Sequence, residues 1–227
     1  MSGEKSIHSG HRQRLREQFL QHGLDTMAEV NALELLLFYA IPRQDTSPIA
    51  HRLLDTFGSL HGVMNAPHSE LVERGGLSEN AAALIRLVPA MERRRRISAL
   101  ASEQRLMTIE DCGEYLLPFF MGQEQEQVRL LCLDGSCTVL GCEKISDGTV
   151  SGAVLTPRSV LEAALRKKAV TVVLAHNHPS GSLQPSDEDI QATNAARTAL
   201  ESVGIVLADH LIIGDGRFSS MAEMGLL

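Results

Sequence analysis

The chain has 227 residues, 44% of them hydrophobic and 22% charged, which allows one large domain or two modest ones and excludes a disordered or fibrous protein. No apolar run approaches the ~20 residues that cross a bilayer, and the polar start MSGEKSIHSGHRQR has no apolar stretch of the secretory kind; the expectation is a cytoplasmic protein with no membrane partner. The net charge of −7 is uneven: residues 1–100 hold 12 Lys and Arg against 11 Asp and Glu, residues 101–227 hold 9 against 17, so the halves carry +1 and −8. An acidic second half argues against nucleic acid as its ligand, because phosphate contacts need clustered cations. The near-neutral first half permits such a ligand.

Residues 11 to about 98 are rich in helix formers at helical spacing: RQRLREQFLQHGL, NALELLLFYAI, SPIAHRLLDTFGSL and ENAAALIRLVPAMERRRR. Pro42, Gly58, Pro67 and Gly75-Gly76 punctuate them, so four or five short helices with tight turns are predicted. A linker is expected near Ser98 to Ser102. Beyond it, Asp111 to Phe120 reads as a helix. VRLLCL (128–133) and CTVLGCE (137–143) read as strands split by the Asp134-Gly135 turn. Thr156-Pro157 is an N-cap and first helical residue for SVLEAALRKK. VTVVLA (170–175) is a buried strand by its unbroken β-branched run. Ser186 to Ser202 reads as a helix stopped by Gly204, and IVLADHLII (205–213) as the next strand, ending at Gly214-Asp215-Gly216. The pattern predicts an all-α N-terminal domain over 1–100 and an α/β domain with a mixed sheet over 101–227. Cys112, Cys132, Cys137 and Cys142 form no CxxC pair and read as buried thiols.

The chemistry concentrates in LAHNHPSGSLQPSDEDI, residues 174–190. His176 and His178 stand two apart at the carboxyl end of a strand, where a period of two sends both imidazoles to one face, at the sheet edge that holds ligands in open α/β folds. A Pro/Gly/Ser loop leads to a helix with Asp189 in its first turn. Two imidazoles and a carboxylate can converge on a divalent ion, and three protein ligands leave a fourth tetrahedral position for water, as in catalytic zinc. Taken alone, Ser186 and Asp189 also fit a helix cap of the S-x-x-D type, which needs no metal.

The whole string, His176-x-His178, seven residues, Ser186, two residues, Asp189, is the H-x-H-x7-S-x2-D signature of JAMM (MPN-plus) metallopeptidases. Its flanks narrow the match. HNHPSG, PSDEDI, the upstream GTVSGAVLTPRSVLEAAL and the downstream LADHLIIG resemble the RadC family of bacterial proteins, as do GHRQRLREQF, ELLLFYAIPRQD and FGSLHGVMNAPHSEL in the first half. The resemblance implies a deaminase-like α/β fold, one zinc held by His176, His178 and Asp189, and hydrolysis of a peptide or isopeptide bond in a peptide or protein substrate. It also implies a glutamate base ahead of an early strand. The match falls on Glu126, before VRLLCLD, with Val128 where the family usually shows an aromatic residue; Glu124 and Glu143 stay open as alternatives. Zinc brings the pKa of its water towards ~7, the glutamate moves the proton, and Ser186 is expected to donate a hydrogen bond to the oxyanion. His210, which follows Asp209, reads either as a partner for a ligand's second ring nitrogen or as a satisfied core histidine. Asn177 points away from its neighbours' face and reads as structural.

In the first half, residues 71–85 resemble the hairpin of a helix-hairpin-helix module, which presents backbone N–H groups to phosphate; Ser78 replaces its usual second glycine. Helical packing is the favoured reading there, and Arg93–Arg96 reads as a solvated charge run. The alternative for the chain as a whole is a DNA-binding accessory protein of repair or recombination with a secondary metal site. A zinc deaminase would need H-x-E followed by P-C-x-x-C, and no P-C-x-x-C occurs.

Overall fold

A computed structural model of the chain describes residues 4–100, 104–147 and 155–227. It divides into two compact units, Met1–Glu92 and Arg93–Leu227. The motif segment GTVSGAV (148–154) lies outside the described residues, as do 101–102 of the expected linker, whose Ser98 and Ala99 are helical. No described helix is long and apolar enough to cross a membrane.

The first unit is all α-helix: α1 (Glu4–His22), α2 (Glu29–Ala40), α3 (Ser47–Phe57), α4 (Leu60–Asn65), α5 (His68–Glu73) and α6 (Glu79–Ala99), the unit boundary falling within α6. Its core joins Leu33 and Leu37 of α2, Ala50 and Leu53 of α3, Val63, Leu71, and Ala81, Ala82 and Ile85 of α6. Between α5 and α6 the backbone turns through Gly75 and Gly76. A Cβ at Gly75 would lie 2.5 Å from the Leu71 carbonyl oxygen, and Gly76 has φ +64, so the turn requires both glycines. Two residues of the GHRQR segment are structural. Arg12 donates to the carbonyls of Ile41 (2.7 Å) and Gln44 (2.6 Å) beyond the end of α2, where orphan carbonyls need donors. His11 meets the buried Glu34 carboxylate at 3.0 Å.

The second unit is a five-stranded mixed sheet between helices. Its elements are α7 (Ile109–Phe120), β1 (Gln127–Leu133), β2 (Val139–Asp147), α8 (Pro157–Arg166), β3 (Thr171–Asn177), α9 (Asp187–Glu201), β4 (Val206–Gly214) and β5 (Arg217–Ser220). The sheet order is β2-β1-β3-β4-β5, with β3 and β4 parallel and the other pairs antiparallel. Strand alternation sends Val128, Leu130, Cys132, Val172 and Leu174 to one face, against Val160, Ala163 and Ala164 of α8 and Ala196 and Leu200 of α9. Leu131, Leu133, Val173, Ala175, Leu211 and Ile213 go to the other, against Cys112, Tyr115, Leu116 and Phe120 of α7. The central strands are covered on both faces, which explains their unbroken apolar runs.

Several elements differ from the sequence reading. β3 continues through Asn177, so His176 is itself in the strand. Cys137 sits in the β1–β2 turn at φ +61 instead of opening β2, with Asp134 accepting from the backbone N–H groups of Ser136 and Thr138. A Thr108–Asp111 capping box starts α7 two residues earlier than expected. Of the four cysteines, all free, only Cys112 and Cys132 are fully buried; Cys137 and Cys142 are partly buried, Cys142 packing against the core beside α7.

Candidate metal centre

Three neighbouring segments build the site. β3 brings His176 and His178 to the face shared with α8 and α9. β1 lies antiparallel beside it with Val128 opposite His176, so continuing the register places Glu126 opposite His178. The loop after β3 then returns to start α9, whose first turn carries Asp189.

Local contacts fix each group. The His178 backbone N–H donates to the Ile213 carbonyl on β4 (2.8 Å), and its ring Nδ1 lies 3.1 Å from the Ser182 carbonyl. A carbonyl only accepts, so Nδ1 carries the proton and Nε2 presents its lone pair. Gly181, at φ +81, lets the loop turn; a Cβ there would lie 2.4 Å from the Asp215 carboxylate. Asn177 points to the opposite side from its two neighbours and is 5% exposed. Its Oδ1 accepts from Gln127 N (2.9 Å) and its Nδ2 donates to Gln125 O (3.1 Å), so one amide grips the backbone on both sides of Glu126. Ser186 and Asp189 form a reciprocal capping box. Ser186 Oγ accepts from Asp189 N (3.1 Å), while Asp189 Oδ2 accepts from Ser186 N (2.8 Å) and from the Ser186 hydroxyl (2.7 Å).

The side chains converge. His176 Nε2 and His178 Nε2 are 2.9 Å apart. Asp189 Oδ1 is 3.4 Å from His176 Nε2, and Oδ2 is 3.6 Å from His178 Nε2. Glu126 Oε1 lies 3.8 Å from His178 Nε2. His176 is 2% exposed, and the other three side chains are 15–24% exposed, so the cluster is mostly shielded but reachable from solvent. It borders a cavity of about 200 Å³ lined by Glu126, Val128, Leu155, His176, Glu188, Asp189, Ala192 and His210.

Burial pushes the Asp189 carboxyl up, but hydrogen bonds and charge from His176 and His178, with the Ser186 bond, outweigh it and hold the group well below the usual carboxylate range. The Asp189 hydrogen bond raises His178 against its own desolvation. Complete burial, then the neighbouring His176, holds His210 well below the ordinary imidazole value.

The donor set suits a divalent cation. Two tetrahedral ligands, each ~2.05 Å from zinc, stand about 3.3–3.4 Å apart, only a few tenths of an ångström wider than the two Nε2 atoms. Glu126, His176 and His178 each offer a ligand atom, all within 4.8 Å of one another. Asp189 approaches the same two nitrogens.

All five residues singled out in the sequence thus meet in one place. The two alternative glutamates do not join them. Glu143 pairs with Arg166 (2.8 Å) and Lys167 (3.0 Å), bonds that hold its carboxyl below the usual range. Glu124 is exposed and absent from the cavity wall. The Ser186 hydroxyl hydrogen lies on Asp189 Oδ2, where the sequence reading had expected an oxyanion donor. Sequence reasoning missed the grip of Asn177 on the Glu126 backbone, which only strand register reveals. It also missed Thr193, whose one signal was its spacing of four from Asp189.

A family model described as the RadC-like JAB domain matches residues 106–226. A UPF0758 protein of Rhodobacter capsulatus is 39% identical over 213 residues, 94% of this chain and all of its own length. A UPF0758 protein of Ruegeria pomeroyi is 37% identical over 217 residues, 96% of this chain and 97% of its own. With the HNHPSG loop at the strand end and the helical unit ahead of the sheet, these matches make the chain a member of the RadC family, its second unit a JAB-type domain of the metal-dependent hydrolase fold.

Proposed function

We propose that this protein is a zinc-dependent peptidase or isopeptidase that hydrolyses an amide bond in a peptide or protein substrate. The observation that carries the reading is the convergence of His176 Nε2, His178 Nε2 and the Asp189 carboxylate at one mouth, with the Glu126 carboxylate facing them from β1. His176, His178 and Asp189 hold the ion. When bound there, zinc supplies Lewis acidity, making a water nucleophilic at neutral pH and polarising a carbonyl.

The chain's own groups do the rest. Glu126 lies in the cavity wall 3.8 Å from His178 Nε2, where it takes a proton from water and returns it to the leaving amine. Ser186 holds Asp189 through its backbone N–H. Turning its hydroxyl hydrogen from Asp189 Oδ2 to the substrate oxygen leaves that backbone bond in place, so the helix start survives while the hydroxyl serves an oxyanion.

The test is metal content in the native protein and in His178→Ala and Asp189→Ala, followed by hydrolysis of a peptide library by native protein and Glu126→Gln. The reading expects about one zinc per chain, lost in both ligand variants, and a Glu126→Gln protein that keeps zinc while losing hydrolysis. Zinc that is indifferent to both ligand changes overturns it.

DNA binding by the helical unit is the weaker reading. Its support is the Gly75-Gly76 turn before α6. Against it, Ser78 Oγ already accepts from Ala81 N at the start of α6 (3.3 Å), and Arg12 is committed to carbonyls of its own chain.

A further inference from the structure

We propose that Thr193 and His210 form a hydrogen-bonded relay that fixes the proton of His176 on Nδ1, leaving its Nε2 bare for a metal ion, and that both act as positioning residues. The inference rests on the metal site proposed above.

The relay follows from counting hydrogens. The Thr193 hydroxyl, on α9, lies 2.6 Å from the Asp189 carbonyl and 2.5 Å from His210 Nδ1. It has one hydrogen. A carbonyl can only accept, so the hydroxyl donates to Asp189 O and its oxygen accepts from His210 Nδ1–H. A neutral imidazole carries one N–H, so His210 Nε2 is then an acceptor. It lies 2.8 Å from His176 Nδ1, which therefore donates. His176 in turn has one N–H, now spent on Nδ1, and its Nε2 faces His178 and Asp189 without a hydrogen.

The opposite arrangement would run every proton the other way. Thr193 would donate to His210 Nδ1, His210 Nε2–H would donate to His176 Nδ1, and His176 would carry its hydrogen on Nε2, the atom that has to ligate. That order strips the Asp189 carbonyl of its hydroxyl donor. An ion on His176 Nε2 rules out that order, because the atom cannot ligate and carry a hydrogen at once; the proton then sits on Nδ1, and Thr193 and His210, each 1% exposed, both keep a partner.

The relay also ties the two sides of the site together. It begins at the backbone carbonyl of Asp189 on α9 and ends at the His176 imidazole on β3, so a single chain of four groups links the backbone of one proposed ligand to the ring of another. The His210 backbone is held in turn by its neighbour. The Asp209 carboxylate is wholly buried and accepts from His210 N (2.7 Å), Ala222 N (3.0 Å) and the Ser220 hydroxyl. A ligating histidine ordinarily needs a partner on its second nitrogen, and loss of that partner weakens metal affinity about 10–100-fold. Here the immediate partner is another histidine, which can accept only while a third group, Thr193, takes its remaining hydrogen.

The experiment compares native protein, Thr193→Val, which keeps the shape and removes the hydroxyl, and Thr193→Ser, which keeps the hydroxyl. Zinc affinity is measured by chelator competition, and the ring protons of His176 and His210 are located by long-range 1H–15N correlation on zinc-loaded, 15N-histidine-labelled protein. The relay predicts His210 protonated on Nδ1 in the native protein, zinc binding about 10–100-fold weaker in Thr193→Val, and affinity within about threefold of native in Thr193→Ser. His210 protonated on Nε2 overturns the relay, and so does a Thr193→Val protein with native zinc affinity. Native protein that binds no zinc refutes the proposed function, whereas zinc-loaded protein with His210 protonated on Nε2 refutes the relay alone.

Discussion

Replacing Asn177 with alanine removes the amide that bridges Gln125 O and Gln127 N around Glu126. The two bonds are unequal. Gln127 is buried, and a buried N–H without a partner costs about 1–3 kcal/mol. The Gln125 carbonyl belongs to an exposed residue and can turn to water. The net cost is therefore about 2 kcal/mol, borne at the start of β1, which corresponds to roughly 30-fold faster opening of the Gln127 amide. Hydrogen exchange followed by NMR reads this residue by residue, with the Leu130 amide inside the β1 ladder as the internal reference. Asn177→Asp separates the two bonds, because it keeps the acceptor for Gln127 N and loses the donor to Gln125 O; most of the Gln127 protection should return. If Gln127 exchanges in Asn177→Ala as slowly as in the native protein, Asn177 does not hold the segment that carries Glu126.

Two further predictions concern the rest of the second unit. Burial pushes the Cys132 thiol up to about 12 and the Cys112 thiol to about 11, so iodoacetamide at pH 8 should leave both unmodified in the folded protein and modify them once it is unfolded in urea; rapid native modification of either would contradict the packing described here. At the start of α7, Thr108→Ala should cost about 1 kcal/mol at pH 7. Backbone and side-chain bonds from Thr108 hold the Asp111 carboxyl below its ordinary value of 3.8. A depressed folded-state value means that this stabilisation is fully present above the ordinary value and is lost as pH falls through the lowered one. Asp111→Asn should accordingly flatten the acid limb of a urea-midpoint series below about pH 4, and an unchanged limb would show that the box contributes nothing.

The site was legible where its residues are close in sequence. His176, His178, Ser186 and Asp189 fall within one strand end, one loop and one helix start, and the period of two and the S-x-x-D cap can be read directly from such a segment. Glu126 lies 50 residues from His176 and reaches it only through the antiparallel β1–β3 register. Alternation alone could not separate it from Glu124, and nothing local excluded Glu143 until Arg166 and Lys167 were seen on it. Thr193 and Asn177 are ordinary residues of a helix and a strand, and their roles exist only across elements. The four-residue β5 went unread because RFSS has no alternation to detect. The early capping box of α7 was obscured because Thr108 and Asp111 are as common in turns as at helix starts.

The central claim is that this chain holds one divalent ion on His176, His178 and Asp189, and metal content tests it most directly. Elemental mass spectrometry of protein purified without added metal, native beside His178→Ala and Asp189→Ala, should give about one zinc per native chain and almost none in either variant. Native protein without metal, or variants that keep it, would reduce the cluster to a capped helix beside two buried imidazoles and contradict the account.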